Sequence, residues 1–198
     1  MRLQGPSSLR FKRHVLWMLV AYSVMLAAAW LWVGLRPGPG LLCSADSFFG
    51  APLPVPLIHV LGALAGATAG LGVAAASSWA SRKLASARRL EEAFARLLGP
   101  LDPFEVSSLA LFSSVAEEAL FRGALQPAIG LVATSLLFGL LHVGPSRIFA
   151  AWTAMAVAMG FALGALALSG TLLAPILCHG LVNLLNLRRI AALAHEPP

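Results

Sequence analysis

Six apolar stretches, at residues 14–35, 53–79, 104–123, 128–143, 148–168 and 171–187, leave this chain almost no choice of fold. At 1.5 Å of rise per residue, about 20 apolar residues in a helix match the roughly 30 Å hydrocarbon core of a bilayer. Inside that core every backbone amide must be paired within the protein, which admits helices or a closed barrel. The stretches are too long and too continuous for barrel strands. Composition agrees, since 59% of the 198 residues are hydrophobic and 11% charged, against about 25% charged in ordinary globular domains. The sequence therefore predicts an all-α membrane protein of about six transmembrane helices, with membrane lipid as its surroundings.

The net charge of +6 and a pI near 10.7 do not point to nucleic acid, because the basic residues lie in short segments between the apolar stretches. Headgroups and topology account for them there. Arg2, Arg10, Lys12 and Arg13 precede the first stretch, Arg82, Lys83, Arg88, Arg89 and Arg96 follow the second, and Arg147, Arg188 and Arg189 come later. Six spans put all of these on one side, which the positive-inside rule makes the cytoplasm. Both termini are then cytoplasmic, and only Arg36 and Asp46 lie outside. The stretch from His14 to Leu35 is longer than a signal-peptide core and reads as a retained anchor. Residues 81–99, SRKLASARRLEEAFARLLG, place leucines and alanines at helical spacing beside five basic residues, which predicts an amphipathic cytoplasmic helix on anionic headgroups. Glu91 and Glu92 are expected to pair with neighbouring arginines. Cys43, in a loop, and Cys178, in an apolar stretch, are not expected to form a disulfide. The expected organisation is a two-span region over 1–102, a four-helix core over 103–190 and a tail over 191–198.

Three motifs place polar groups inside that core, where ionisable side chains are costly and usually functional. In SSVAEEALFRG, Glu118 and Arg122 are four residues apart and share a helix face, in the favourable order for an ion pair. Glu117 points about 100° away, which leaves it to face a polar cavity, where a carboxylate can take a proton from water. In LLFGLLHVG, Phe138 and His142 share a face. In APILCHGLVNLLN, His179 and Asn183 do the same and offer two donors that could converge on a tetrahedral oxyanion. Taken singly, each motif also reads as a packing network, a satisfied core histidine or an interhelical clamp. Their co-occurrence on three of four consecutive core helices favours chemistry.

Together, Glu117, Glu118 and Arg122 as EExxxR, Phe138 and His142 as FxxxH, and His179 and Asn183 as HxxxN, in that order, resemble the CPBP family of intramembrane glutamic endopeptidases. This family includes the CAAX prenyl proteases and abortive-infection-type membrane proteins. The resemblance covers about residues 103–190. It implies that Glu117 and His142 activate a water, that His179 and Asn183 stabilise the oxyanion, and that Glu118, Arg122 and Phe138 support the site. It implies metal-independent catalysis without a cofactor, in a bacterial inner membrane, on a membrane-anchored protein carrying a C-terminal processing or sorting signal.

Two further expectations follow from length and charge. The chain is shorter than the prenyl proteases of that family and leaves little room for an isoprenoid. Charge counting places Glu117 and His179 in the outer half of the membrane, which suits the myxosortase-type branch, whose substrates are sorting helices of exported proteins. Helical rise adds a constraint, because straight spans would set His142 about 20 Å from the turn near Pro127 and Glu117 only about 10 Å from it. Tilt, or a break around Pro127 and Gly130, must bring them level. Zinc held by Glu117, His142 and His179 is a competing mechanism, although no HExxH is present. A serine mechanism through Ser113, Ser114 or Ser146 is a weaker one. The principal alternative to an enzyme is a scaffold or immunity protein that uses the polar core to bind a partner helix.

Overall fold

Where the apolar stretches lie, helices form. The computed structural model describes residues 12–35 and 47–195; Arg2, Arg10, Arg36, Cys43 and Asp46 lie outside them. Helix α1 (Arg13–Gly34) is followed by a two-residue hairpin of β1 (Ser47–Phe48) and β2 (Ala51–Pro52). Helices α2 (Val55–Lys83), α3 (Ala85–Leu98) and α4 (Pro103–Glu118) come next, and α4 continues into a π-helical segment, Ala119–Leu125. Helices α5 (Gln126–Leu140), α6 (Ala150–Ala167) and α7 (Leu173–His195) complete the chain. Among the described residues, five helical stretches are long and apolar enough to cross a membrane: 13–34, 55–83, 103–140, 147–167 and 173–195. The protein is an all-α membrane protein.

The stretches expected as separate spans at 104–123 and 128–143 form one run, Pro103–Leu140, that folds back on itself. The π-helical segment widens the first half. The reversal comes at Gly130, whose φ of 82° and ψ of 165° break the helix, and a positive φ there favours glycine. The returning part of α5, the ten residues from Leu131 to Leu140, spans about 15 Å at helical rise and does not by itself cross the bilayer core.

Pairwise contacts fix the helix directions. Helices α1 and α4 run the same way, with Lys12 beside Glu105 and Ala29 against Ala119 and Ala124. α7 runs opposite to α4, with His179 beside Glu118 and Asn183 beside Ser113. α6 follows the direction of α4, since Arg122 reaches the Gly160 carbonyl and Gln126 that of Gly164. α5 returns along α6, with Gly139 at Val157 and Ser135 at Gly160. α2 runs with α7 along a ridge of Gly62, Gly66 and Gly70. A Cβ on Gly66 would strike the Ala174 carbonyl, and one on Gly70 would lie 2.7 Å from that of Cys178. Small residues at such spacing let two backbones approach closely.

One end of the bundle therefore gathers the start of α1, the end of α2, all of α3, the α3–α4 and α5–α6 connections and the end of α7. Apart from Arg122, every Lys and Arg among the described residues lies at this end. It is also where polar bonding ties the helices together. Asp102 caps α4 by accepting from the Phe104 and Glu105 amides, each at 2.8 Å, while Glu105 accepts from the Asp102 amide. This reciprocal arrangement satisfies amides that the first turn of a helix leaves free. Buried Glu105 also accepts from the Lys12 amide at 2.9 Å and the Lys12 ammonium at 3.2 Å, and Lys12 donates to the Pro100 carbonyl as well. Exposed Trp17 and Trp79 stand near this end and Trp30 near the other, the positions tryptophan favours at membrane interfaces.

Candidate active site

Helices α4, α5 and α7 meet at Glu117. The break at Gly130 carries His142, in the turn after α5, back to the level of α4, so that its Nε2 lies 3.7 Å from Glu117 Oε2. From α7, His179 Nε2 lies 4.0 Å from the same oxygen. Residues 25 positions apart along an unbroken helix would stand about 37 Å from each other, so the contact depends on the fold-back. Glu117 is buried, and its Oε2 has no hydrogen-bond partner among the described residues.

Beside it, Glu118 organises the charges. Its Oε1 accepts from Arg122 Nη1 at 3.1 Å and pairs with His179 Nδ1 at 2.8 Å. Arg122 donates its Nη2 to the Gly160 carbonyl at 3.0 Å and stacks over the Phe138 ring at 4.5 Å. Both side chains of the Glu118–Arg122 pair have 0% exposure. In so dry a place the bonds to His179 and to the Gly160 carbonyl offset part of the cost of desolvating the pair, while Glu118 Oε2 and Arg122 Nε have no hydrogen-bond partner among the described residues.

Hydrogen bonding also assigns the histidine nitrogens, by inference from the network. His142 Nδ1 lies 2.6 Å from the Phe138 carbonyl. A carbonyl only accepts, so Nδ1 carries the proton and neutral His142 presents a lone pair at Nε2. His179 Nδ1 likewise donates to the Glu118 carboxylate. Glu117 Oε2 thus faces two imidazole nitrogens across gaps too long for a direct hydrogen bond. A water between Glu117 Oε2 and His142 Nε2 could donate one hydrogen to each.

Asn183 donates through Nδ2 to Ser113 Oγ at 2.9 Å, and Ser113 donates to the Ala110 carbonyl at 3.3 Å. The amide keeps a second N–H. Ser113 is thereby an orienting partner of Asn183, a role that spacing along the chain does not reveal. Ser114 donates to the Leu111 carbonyl at 3.0 Å and Ser146 precedes a turn of 3₁₀ helix; neither reaches the Glu117 cluster by a hydrogen bond. Cys178 is buried one position from His179. Glu92 pairs with Arg88 at 3.2 Å on α3, whereas Glu91 pairs at 2.9 Å with Arg189, which α7 supplies from 98 positions away. Among the described residues, no three His, Cys, Asp or Glu side chains converge with geometry to hold a metal ion.

A cavity of about 590 Å³ reaches this cluster. Glu117, His142, His179 and Asn183 line one part of it, and Glu91 and Phe94 of α3 line another. None of its lining residues comes from the hairpin or from the α6–α7 connection at the other end of the bundle. The cavity therefore extends from the cluster toward the basic end, with Glu117 fourteen residues along α4, about 21 Å from its start. The cavity's volume falls within the roughly 300–1,000 Å³ of sites that enclose small molecules. Every methionine after Met1 (Met18 and Met25 of α1, Met155 and Met159 of α6) lines the cavity. Methionine is flexible and polarisable and accommodates apolar groups of varied shape.

Residues 100–185 match one protein-family model, described as type II CAAX prenyl endopeptidase Rce1-like. The match begins at the α3–α4 connection and takes in every residue of the Glu117 cluster. No curated protein and no solved structure matches the chain.

Proposed function

We propose, from the match of residues 100–185 to the type II CAAX prenyl endopeptidase Rce1-like model, that this membrane protein hydrolyses a peptide bond near the C-terminal tail of a membrane-anchored, prenylated protein. The observation that carries the reading is the placing of Glu117 Oε2 3.7 Å from His142 Nε2 and 4.0 Å from His179 Nε2, in a cavity that extends toward the basic end.

In this reading a water held between Glu117 and His142 gives its proton to the carboxylate as its oxygen attacks the peptide carbonyl carbon. The oxyanion accepts hydrogen bonds from the free N–H of Asn183 and from Nε2 of a doubly protonated His179, which Glu118 holds on the other nitrogen. Collapse of the tetrahedral intermediate breaks the C–N bond, and Glu117 returns the proton to the leaving amine. The Glu118–Arg122 pair fixes His179, and Arg122 is fixed in turn by the Gly160 carbonyl. The mechanism draws on no metal. The methionine-lined wall receives the apolar part of the substrate.

The test is cleavage of a farnesylated peptide ending in a CAAX tail by the purified protein in liposomes, followed by mass spectrometry, beside a single-span reporter that ends in a sorting helix. Expected is release of the tail peptide at a rate unchanged by 1,10-phenanthroline. Loss of activity with the chelator would move the reading to a metal. Cleavage of the sorting-helix reporter alone would move the substrate to that class, and cleavage of neither probe would favour a scaffold.

The basic end is proposed to face the cytoplasm, as the positive-inside rule requires. In a Cys43→Ser background, a membrane-impermeant maleimide applied to intact cells is expected to label Ala51→Cys, in the hairpin, and to spare Ser146→Cys until the cells are opened. Labelling of residue 146 alone in intact cells would invert the topology.

A further inference from the structure

Helix α3 precedes the segment matched to the family, yet its one aromatic residue reaches the candidate site. Phe94 meets Phe149 and Trp152 edge to face, with ring centroids 5.0 Å apart in both pairs. Trp152 in turn packs on the imidazole of His142 at 5.0 Å, and Phe138 flanks the same imidazole at 4.4 Å.

His142 depends on such packing more than its neighbours do. It stands in the turn after α5, and its side chain is 20% exposed, against 9% for Glu117 and 7% for His179. One hydrogen bond, from Nδ1 to the Phe138 carbonyl, holds the ring. A single bond of this kind lets the ring swing about the Nδ1···O line, and Nε2, the atom that faces Glu117, lies at the far end of that swing. Thr153 fixes the backbone beneath it by donating to the His142 carbonyl at 2.9 Å, which leaves the ring plane to the aromatic neighbours.

Phe94 is itself anchored. Three residues before it, Glu91 accepts from Arg189 at 2.9 Å, and Arg189 also donates to Asn186 Oδ1 at 2.9 Å, Ser77 Oγ at 3.1 Å and the Ala74 carbonyl at 3.3 Å. The base of α3 is thus fixed to α2 and α7, the helix that carries His179 and Asn183. The tip of Phe94 presses on α6 and on the connection that carries His142. One side chain bridges the two walls of the cavity mouth.

We propose that Phe94 is a positioning residue for the reaction: by seating Trp152 against His142, it holds Nε2 of His142 toward Glu117. The proposal rests on the catalytic reading of Glu117 and His142 given above. It makes α3 the element that sets the distance between them.

The test compares the full chain in nanodiscs as wild type, Phe94→Ala and Phe94→Leu. Two quantities are measured: kcat and KM on the farnesylated CAAX peptide, and the ring ¹⁵N resonances of His142, assigned by their loss in His142→Gln. Displacing a reacting group by about 1 Å can cost about 100-fold in rate, so Phe94→Ala is expected to lower kcat by about 10- to 100-fold with little change in KM. The His142 resonances should shift or broaden while those of His179 stay in place. Phe94→Leu, which keeps most of the apolar volume against Trp152, should recover most of the loss in both measurements. Unmoved His142 resonances in Phe94→Ala would overturn the proposal. So would an equal disturbance of His179, which would report a loosened bundle in place of a lost clamp. Wild-type cleavage by Glu117→Gln would instead sink the catalytic reading, and the His142 resonances would still report whether Phe94 sets that ring.

Discussion

Glu117→Gln is expected to fold, to insert and to lose cleavage of the CAAX peptide, with kcat down by about 10²- to 10⁴-fold, the usual contribution of a positioned general base. The two side chains have nearly the same shape, and Oε2 has no hydrogen-bond partner among the described residues that the substitution would break. The amide can donate to the imidazole lone pair that the carboxylate only faces. Stability should therefore hold, and KM should change little, because the group lost acts on water more than on substrate. The measurement is a Michaelis–Menten comparison in liposomes beside thermal unfolding of the same preparations. Wild-type kcat in the Glu117→Gln variant would remove Glu117 from the mechanism.

The largest effect on stability is expected at Arg122. Its guanidinium and the Glu118 carboxylate are both fully enclosed, and removing one partner of a buried pair leaves an uncompensated charge at a cost of about 3–5 kcal/mol. Arg122→Met keeps the length and apolar contact of the side chain, including its place over Phe138, and loses the donors to Glu118 and to the Gly160 carbonyl. The variant should unfold at a markedly lower temperature in detergent and lose activity, because Glu118 is also the group that holds His179. Glu118→Gln combined with Arg122→Met removes both charges and should recover much of the stability without recovering the activity. That non-additivity is the signature of a coupled pair. Equal stability of Arg122→Met and wild type would mean that the pair does not brace the site.

The two predictions separate groups that adjoin one another in sequence. A hundred degrees of helix turn divides Glu117 from Glu118, and that division was legible from spacing alone: Glu118 and Arg122 share a face and meet in the bundle, while Glu117 turns to the cavity. The depth mismatch between Glu117 and His142 was legible too, and it located the break near Gly130. Other features were not legible, because they join segments far apart in the chain. Nothing around Ser113 announces that Asn183, 70 positions later, donates to it, and nothing around Glu91 announces Arg189. The π-helical widening after Glu118 has no residue signature of its own. Charge counting grouped the basic segments that the fold gathers at one end. The glycines at 62, 66 and 70 carry a readable signal, a small residue every fourth position, that marks the close approach of α2 to α7.

Arg122 is held on α6 by the carbonyl of Gly160, a backbone atom. The machinery thus takes from α6 a group that every amino acid possesses. Met155 and Met159 on the same helix are free to present whatever surface a substrate requires, since neither carries charge for the reaction or packs on His142. In a lineage of such enzymes, α6 could change its taste in substrates without renegotiating its chemistry, provided that position 160 stays small enough to lie against Ser135.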